Sequence, residues 1–198
     1  MLKTFTGSIC AGILISIGGS VFLACDNKYV GAVFFSVALL CICYMGYYLF
    51  TGKIAYFAVD HSFANAKNLL VGLAGNLVTT YALGKVIGYA IPGFAEKATT
   101  ICNSKLTQAI PQTFIRGLFC GILMYLAVDI FKEKKTPIGI LFCIPVFILS
   151  GFEHSIADMF YFGVSEVYDF KAVVFILFVV LGNAVGGMIL PLMNKGKK

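Results

Sequence analysis

The sequence predicts an all-α integral membrane protein: six transmembrane helices in an inverted three-plus-three repeat, with the second and fifth helices broken. Three observations lead there. Of the 198 residues, 60% are hydrophobic and 12% charged, and the mean hydropathy is +0.93; an ordinary soluble domain is about half apolar and a quarter charged. The apolar residues gather into six stretches, each near the roughly 20 residues that a helix needs to cross the hydrocarbon core. Short sequence elements also recur between the two halves at nearly constant spacing.

The stretches are Phe5–Ala24, Tyr29–Val59, Leu69–Ala90, Leu106–Val128, Pro137–Phe162 and Ala172–Met193. The first follows Met1-Leu2-Lys3 and ends in small residues at Ala24-Cys25, which also suits a cleaved signal. Internal symmetry favours a retained helix, because Thr4-Phe5 and Gly12-Ile13-Leu14 recur as Thr113-Phe114 and Gly121-Ile122-Leu123, 109 residues later. The second stretch is interrupted by Thr51-Gly52-Lys53, with Gly52 expected to supply the turn and Thr51 a hydroxyl that both donates and accepts. The third contains Lys85. Its Gly75-Asn76-Leu77-Val78 recurs in the sixth as Gly182-Asn183-Ala184-Val185, 107 residues later. The fifth carries Gly151, Glu153, His154 and Asp158 in an otherwise apolar run.

Spans one and four, and three and six, therefore pair, which leaves the interrupted second and fifth as partners. Three crossings per half invert the second copy, and such repeats place a binding site where paired broken helices meet near the midplane. The chain is expected to form a single transmembrane channel domain over residues 1–198, with half-repeats at about 1–95 and 105–194. Six spans put both termini on one side. With that side cytoplasmic, Lys3, Lys67, Lys132, Lys134, Lys135, Lys195, Lys197 and Lys198 face inward and Lys28, Lys97, Lys105 and Lys171 outward, eight against four, as the positive-inside rule requires. The formal charge of +6 is thus assigned to membrane orientation and not to nucleic acid.

Charges at the bilayer centre cost roughly 2.5–3.5 kcal/mol each on insertion scales, so Glu153, His154 and Asp158 need a reason to be there. His154 is the histidine inside a span, whereas His61 lies in a polar loop and reads as solvated. Glu153 reads as satisfying freed backbone N–H groups at the start of a half-helix. Asn76 and Asn183 read as amides that hydrogen-bond across to a broken neighbour. Thr51 has an alternative reading, a hydroxyl bonded back to its own helix. Five of the seven cysteines, Cys10, Cys41, Cys43, Cys120 and Cys143, fall in apolar runs and read as small hydrophobes. Cys41-x-Cys43 has no second ligand pair at zinc-site spacing, and neither a metal nor a cofactor is expected.

Over nearly its whole length the chain resembles the formate/nitrite transporter family. The resemblance rests on Ala11-Gly12-Ile13, Leu49-Phe50-Thr51-Gly52, Gly75-Asn76-Leu77-Val78, Thr113-Phe114-Ile115-Arg116-Gly117 and above all Gly151-Phe152-Glu153-His154-Ser155-Ile156-Ala157. It implies a homopentamer of aquaporin-like protomers, each with its own pore for a small monovalent anion of a weak acid, such as formate, nitrite or hydrosulfide. It further implies a pore threonine at Thr51 and a central histidine at His154. The apolar constrictions would fall on Phe35 and Phe147 outside and on Leu39, Leu49 and Val128 inside, with Phe50 in the loop that gates the inner one. The chain departs from the family pattern at Asp158 and Tyr125, where asparagines are usual, and at Lys53 and Asp129. Lys53 is expected to pair with one of the two added acids, Asp129 in preference to Asp158. The expected partners are the anion, protons, lipid and other copies of the chain, with no nucleic acid, in the cell's inner (plasma) membrane. The rival readings are a channel for neutral solutes (water, urea or ammonia) and a membrane enzyme using Glu153, His154 and Asp158. The enzyme lacks a nucleophile, a metal set and a soluble domain, and no enzymatic activity is expected.

Overall fold

The computed structural model describes residues 1–167 and 169–194, and they are helical with short connections. Lys195, Lys197 and Lys198, assigned above to the inner face, lie outside the described residues. Helices α1 (Leu2–Ala24), α2 (Lys28–Met45), α4 (Phe63–Ala90), α6 (Ile110–Lys134) and α9 (Phe170–Met193) are long and apolar enough to cross a membrane. Between α2 and α4 lie a four-residue helix, α3 (Phe50–Lys53), and a 3-10 turn, Ile54–Ala58. Helix α5 (Pro92–Leu106) joins α4 to α6, and two shorter apolar helices, α7 (Ile138–Leu149) and α8 (Ser155–Val164), precede α9.

Two differences from the sequence reading concern boundaries. The segment from 92 to 106 is a helix and not a loop, and the fourth span starts at Ile110 instead of Leu106. Pro92 and Pro111 account for both, since proline is favoured in the first turn of a helix, where its missing N–H has no intrahelical partner in any case. The other difference concerns the turn in the second stretch. It lies at Gly46, with φ +69°, while Gly52 is part of helix α3. Gly46 ends α2 in the left-handed conformation, with the Tyr47 N–H returning to the Ile42 carbonyl at 3.0 Å. Gly151 does the same after α7, with φ +70° and the Phe152 N–H on the Phe147 carbonyl at 3.0 Å. A Cβ is strained in that conformation, and glycine has none.

The helices pack in matched sets: α1 against α2 and α4, α6 against α7 and α9, with α8 wedged between α4 and α5. Small residues permit the close approaches. A Cβ on Gly84 would lie 2.6 Å from the Phe160 carbonyl oxygen, so α4 and α8 touch through backbone. In a bilayer, where lipid tails are as apolar as leucine, such close packing is a main source of association. The buried apolar core includes Ile15, Phe35, Leu39, Met124, Ile144, Phe147, Ile156 and Phe160. Much of α1, α2, α4 and α9 remains uncovered, with Phe34, Val78 and Leu177 all more than half exposed.

Candidate functional site

The site is built on the two non-helical stretches that follow Gly46 and Gly151. Non-helical backbone inside a membrane protein must find hydrogen-bond partners within the protein, and two asparagines supply several of them. Asn76 on α4 accepts the Phe50 N–H at 2.8 Å and donates to the carbonyls of Ser8 and Tyr48 at 2.9 and 3.0 Å. Asn183 on α9 accepts the Ser155 N–H at 2.9 Å and donates to the carbonyls of Gly117 and Glu153, both at 2.8 Å. Each asparagine holds the stretch before a short helix and the first residue of that helix, and ties both to a long helix, Asn76 to α1 and Asn183 to α6. A further matched pair joins them: the Tyr48 N–H donates to Gly7 at 3.2 Å and the Glu153 N–H to Arg116 at 3.3 Å. Gly7 and Arg116, like Ser8 and Gly117, are 109 residues apart.

These clamps bring Thr51 and His154 together. Thr51 lies one residue into α3 and His154 caps α8, and their Oγ1 and Nε2 atoms are 2.8 Å apart with both side chains buried. The imidazole Nδ1 accepts the Ala157 N–H at 3.2 Å. An accepting Nδ1 leaves the ring proton on Nε2, which donates to the threonine oxygen. The Thr51 hydroxyl hydrogen is then available to a further acceptor.

Aromatic and aliphatic side chains flank this pair. Phe147 stacks on the His154 ring, with centroids 5.7 Å apart and planes 25° from parallel, and Phe35 meets Phe147 edge to face at 6.4 Å. Leu39, Leu49 and Val128 line one cavity of about 100 Å³ that also reaches Cys43, Lys53 and Lys132. A Cβ on Gly52 would lie 3.1 Å from Val128, so the glycine keeps that wall open. Phe50 faces elsewhere, packing with Ile54 and Leu69 in a separate apolar cluster.

The charged groups differ from expectation. Lys53 makes no ion pair with Asp129 or Asp158 among the described residues, and its Nζ sits over the Tyr48 ring, 5.8 Å from the centroid. Asp158 is turned to the opposite side, toward α5, where its Oδ1 pairs with Lys105 Nζ at 2.9 Å. Glu153 also pairs with Lys105 and accepts from Gln108 Nε2 at 2.7 Å. Its carboxylate therefore does not serve the backbone N–H groups of α8. Two of those, on Ser155 and Ala157, are taken by the side chains of Asn183 and His154. Lys105 was placed in an outer loop by the sequence reading, but it lies on the buried face of α5 with Ala98 and Cys102. The i, i+4, i+7 spacing of Ala98, Cys102 and Lys105 is the signal that could have found it. Lys85 reaches the Ser165 carbonyl at 3.3 Å, and His61 is exposed, with its ring against Phe57.

Five helices of bilayer length with buried polar groups gathered after two chain turns have the make-up of a membrane transport protein. The model of the formate/nitrite transporter family matches residues 1–194, and the chain belongs to that family. It is 29% identical to the uncharacterized transporter YwcJ of Bacillus subtilis, over 92% of this chain and 84% of that protein. It is 27% identical to the nitrite transporter NirC of Escherichia coli, over 95% of this chain and 80% of the relative. A solved pentameric formate channel with formate bound superposes with a TM-score of 0.80 at 25% identity, covering 97% of this chain and 94% of that one. A second solved structure, an ion channel of the same family, superposes at 0.81 with 22% identity, covering 98% and 87%.

Proposed function

We propose that the chain is a membrane channel or transporter for small monovalent anions of weak acids, moved as the anion or as its protonated form through a pore in each protomer. The observation that carries this reading is the buried 2.8 Å contact between Thr51 and His154, set between the Phe35–Phe147 pair and the Leu39–Leu49–Val128 wall. The architecture behind it is a six-span inverted repeat. Helices α1, α2 with α3, and α4 form one half; α6, α7 with α8, and α9 form the other; α5 joins them. The matched asparagine clamps and the paired turns at Gly46 and Gly151 support that symmetry.

The energetics favour a neutral passenger at the constrictions. Removing a carboxylate-sized ion from water costs several kcal/mol even after relaxation, whereas protonating an acid of pKa about 4 at pH 7 costs roughly 4 kcal/mol. Lysines on both faces attract the anion; between the constrictions the Thr51 hydroxyl donates to it while the His154 N–H holds the threonine oxygen. Phe35 and Phe147 form the outer constriction, and Leu39, Leu49 and Val128 the inner, with Phe50 on the adjoining gate segment. Lys53, Asn76, Glu153, Asp158 and Asn183 are supporting polar residues. The named relatives support formate or nitrite as passengers, and the pentameric neighbour supports a homopentamer, in which the uncovered apolar helix faces meet lipid or another copy. The protein sits in the inner membrane with both termini cytoplasmic.

The test is stopped-flow light scattering and internal acidification of proteoliposomes given formate, nitrite, hydrosulfide, lactate, urea and ammonia in turn. Uptake of one or more of the weak acids above protein-free vesicles is expected. Uptake confined to urea, ammonia or water would replace this reading with a neutral-solute channel.

A further inference from the structure

The cluster of Lys105, Glu153 and Asp158 contains two carboxyl groups and one ammonium. Glu153 and Asp158 are each 2% exposed, and one oxygen of each meets the same Lys105 nitrogen, so the two acids lie side by side. Gln108 satisfies the second oxygen of Glu153, but Asp158 Oδ2 is buried with no hydrogen-bond partner. With both acids ionised the cluster carries one uncompensated negative charge inside a membrane protein, where a lone buried charge is strongly disfavoured. One added proton shared by the two acids neutralises it.

We infer that Glu153 and Asp158 together form a proton-binding site over Lys105, whose occupancy decides whether the outer half of the pore is neutral or negative. The ligand is a proton held by the pair and not assignable to either acid alone. The groups facing it are few. Lys105 and Cys102 come from α5, Cys120 from α6 and Tyr161 from α8 itself, while α4 sends Lys85 to the far end of α8. Gln108, which donates to Glu153, and Thr113 line a cavity of about 240 Å³ together with the exposed Lys171. Asp158 follows His154 by one helical turn, its N–H bonded to the His154 carbonyl at 2.8 Å. Loss of the proton therefore adds a negative charge close to the pore and hinders entry of an anion, on the order of tenfold for unit charges about 10 Å apart at intermediate dielectric.

The consequence for flux rests on the channel reading; the proton itself does not, and the two are measured separately. Infrared difference spectra of the reconstituted full-length protein, recorded across a pH titration in H2O and D2O, report protonated carboxyl groups directly. The wild type is expected to show a deuterium-sensitive carboxylic acid band from a buried group, and both Asp158→Asn and Glu153→Gln to lose it while remaining assembled. A wild type without such a band, or an Asp158→Asn protein that keeps it, overturns the site. In vesicles, wild-type formate uptake should fall with rising pH by roughly ten times more than in Asp158→Asn, since the amide cannot take on the extra charge. Identical pH profiles would refute the coupling to flux. If the wild type moves no weak acid at all, the channel reading fails, and the infrared band still decides whether the proton is bound.

Discussion

Replacing Asn183 by alanine removes three hydrogen bonds of 2.8–2.9 Å and leaves the Ser155 N–H and the Gly117 and Glu153 carbonyls without a partner in a buried site. A typical net value is about 1 kcal/mol per bond, and interhelical side-chain bonds in membrane proteins average about 0.6 kcal/mol. Three bonds therefore contribute about 2–3 kcal/mol, and the stranded groups raise the cost toward about 5 kcal/mol. For a chain of this length each kcal/mol shifts the midpoint by about 2–4 °C. The expected loss is thus at least about 5 °C. Asn183→Asp keeps the acceptor for the Ser155 N–H and loses both donors, so its carboxylate faces two carbonyls and it should be no more stable than the alanine variant. The assay is gel filtration of the assembled, fluorescently tagged protein after stepwise heating in detergent. Asn76→Ala should match Asn183→Ala closely, because it removes three bonds of the same kind, one to an N–H and two to carbonyls. A melting temperature within about 1 °C of wild type for either variant would refute the claim that these amides hold the non-helical stretches in place.

Thr51→Val and His154→Phe should each lower weak-acid uptake, and the double variant should be little worse than either single, because both remove the same 2.8 Å hydrogen bond; fully multiplicative losses in vesicle flux would separate the two residues. His154→Phe should also lower the melting temperature, since it deletes the side-chain cap on the Ala157 N–H, typically about 1 kcal/mol. Leu39→Ala and Phe147→Ala should raise conductance by trimming apolar side chains that exclude water; unchanged or lower flux from correctly assembled protein removes them from the pore lining. Gly84→Ala should destabilise by about 1–3 kcal/mol through overpacking, because the new Cβ would lie 2.6 Å from the Phe160 carbonyl oxygen, and wild-type heat resistance would contradict that contact. Lys53→Met and Asp129→Asn should act independently in a double-mutant cycle on flux, since no ion pair joins them; a coupling above about 0.5 kcal/mol would show that they interact.

Membrane residence, the helical class and the family were decided by the sequence itself. Mean hydropathy and apolar runs of bilayer length need no tertiary information, because lipid acts on each segment separately. The peptide around Gly151-Phe152-Glu153-His154 stood out because charged and glycine residues are costly in an apolar helix. What the sequence left open depends on contacts between distant segments. It pointed to Gly52 for the turn that Gly46 makes, since either glycine allows a left-handed residue and only packing selects one. It placed Lys105 in a loop and paired Lys53 with an added acid, Asp129 before Asp158, because charge and position along the chain do not reveal which helix faces which. In the folded protein α5 lies against α8 and carries Lys105 to both acids, 48 and 53 residues away, while Lys53 rests over Tyr48. The 2.8 Å approach of Thr51 and His154 likewise spans 103 residues. It depends on two asparagine clamps acting from α4 and α9, a geometry that exists only once these helices have packed.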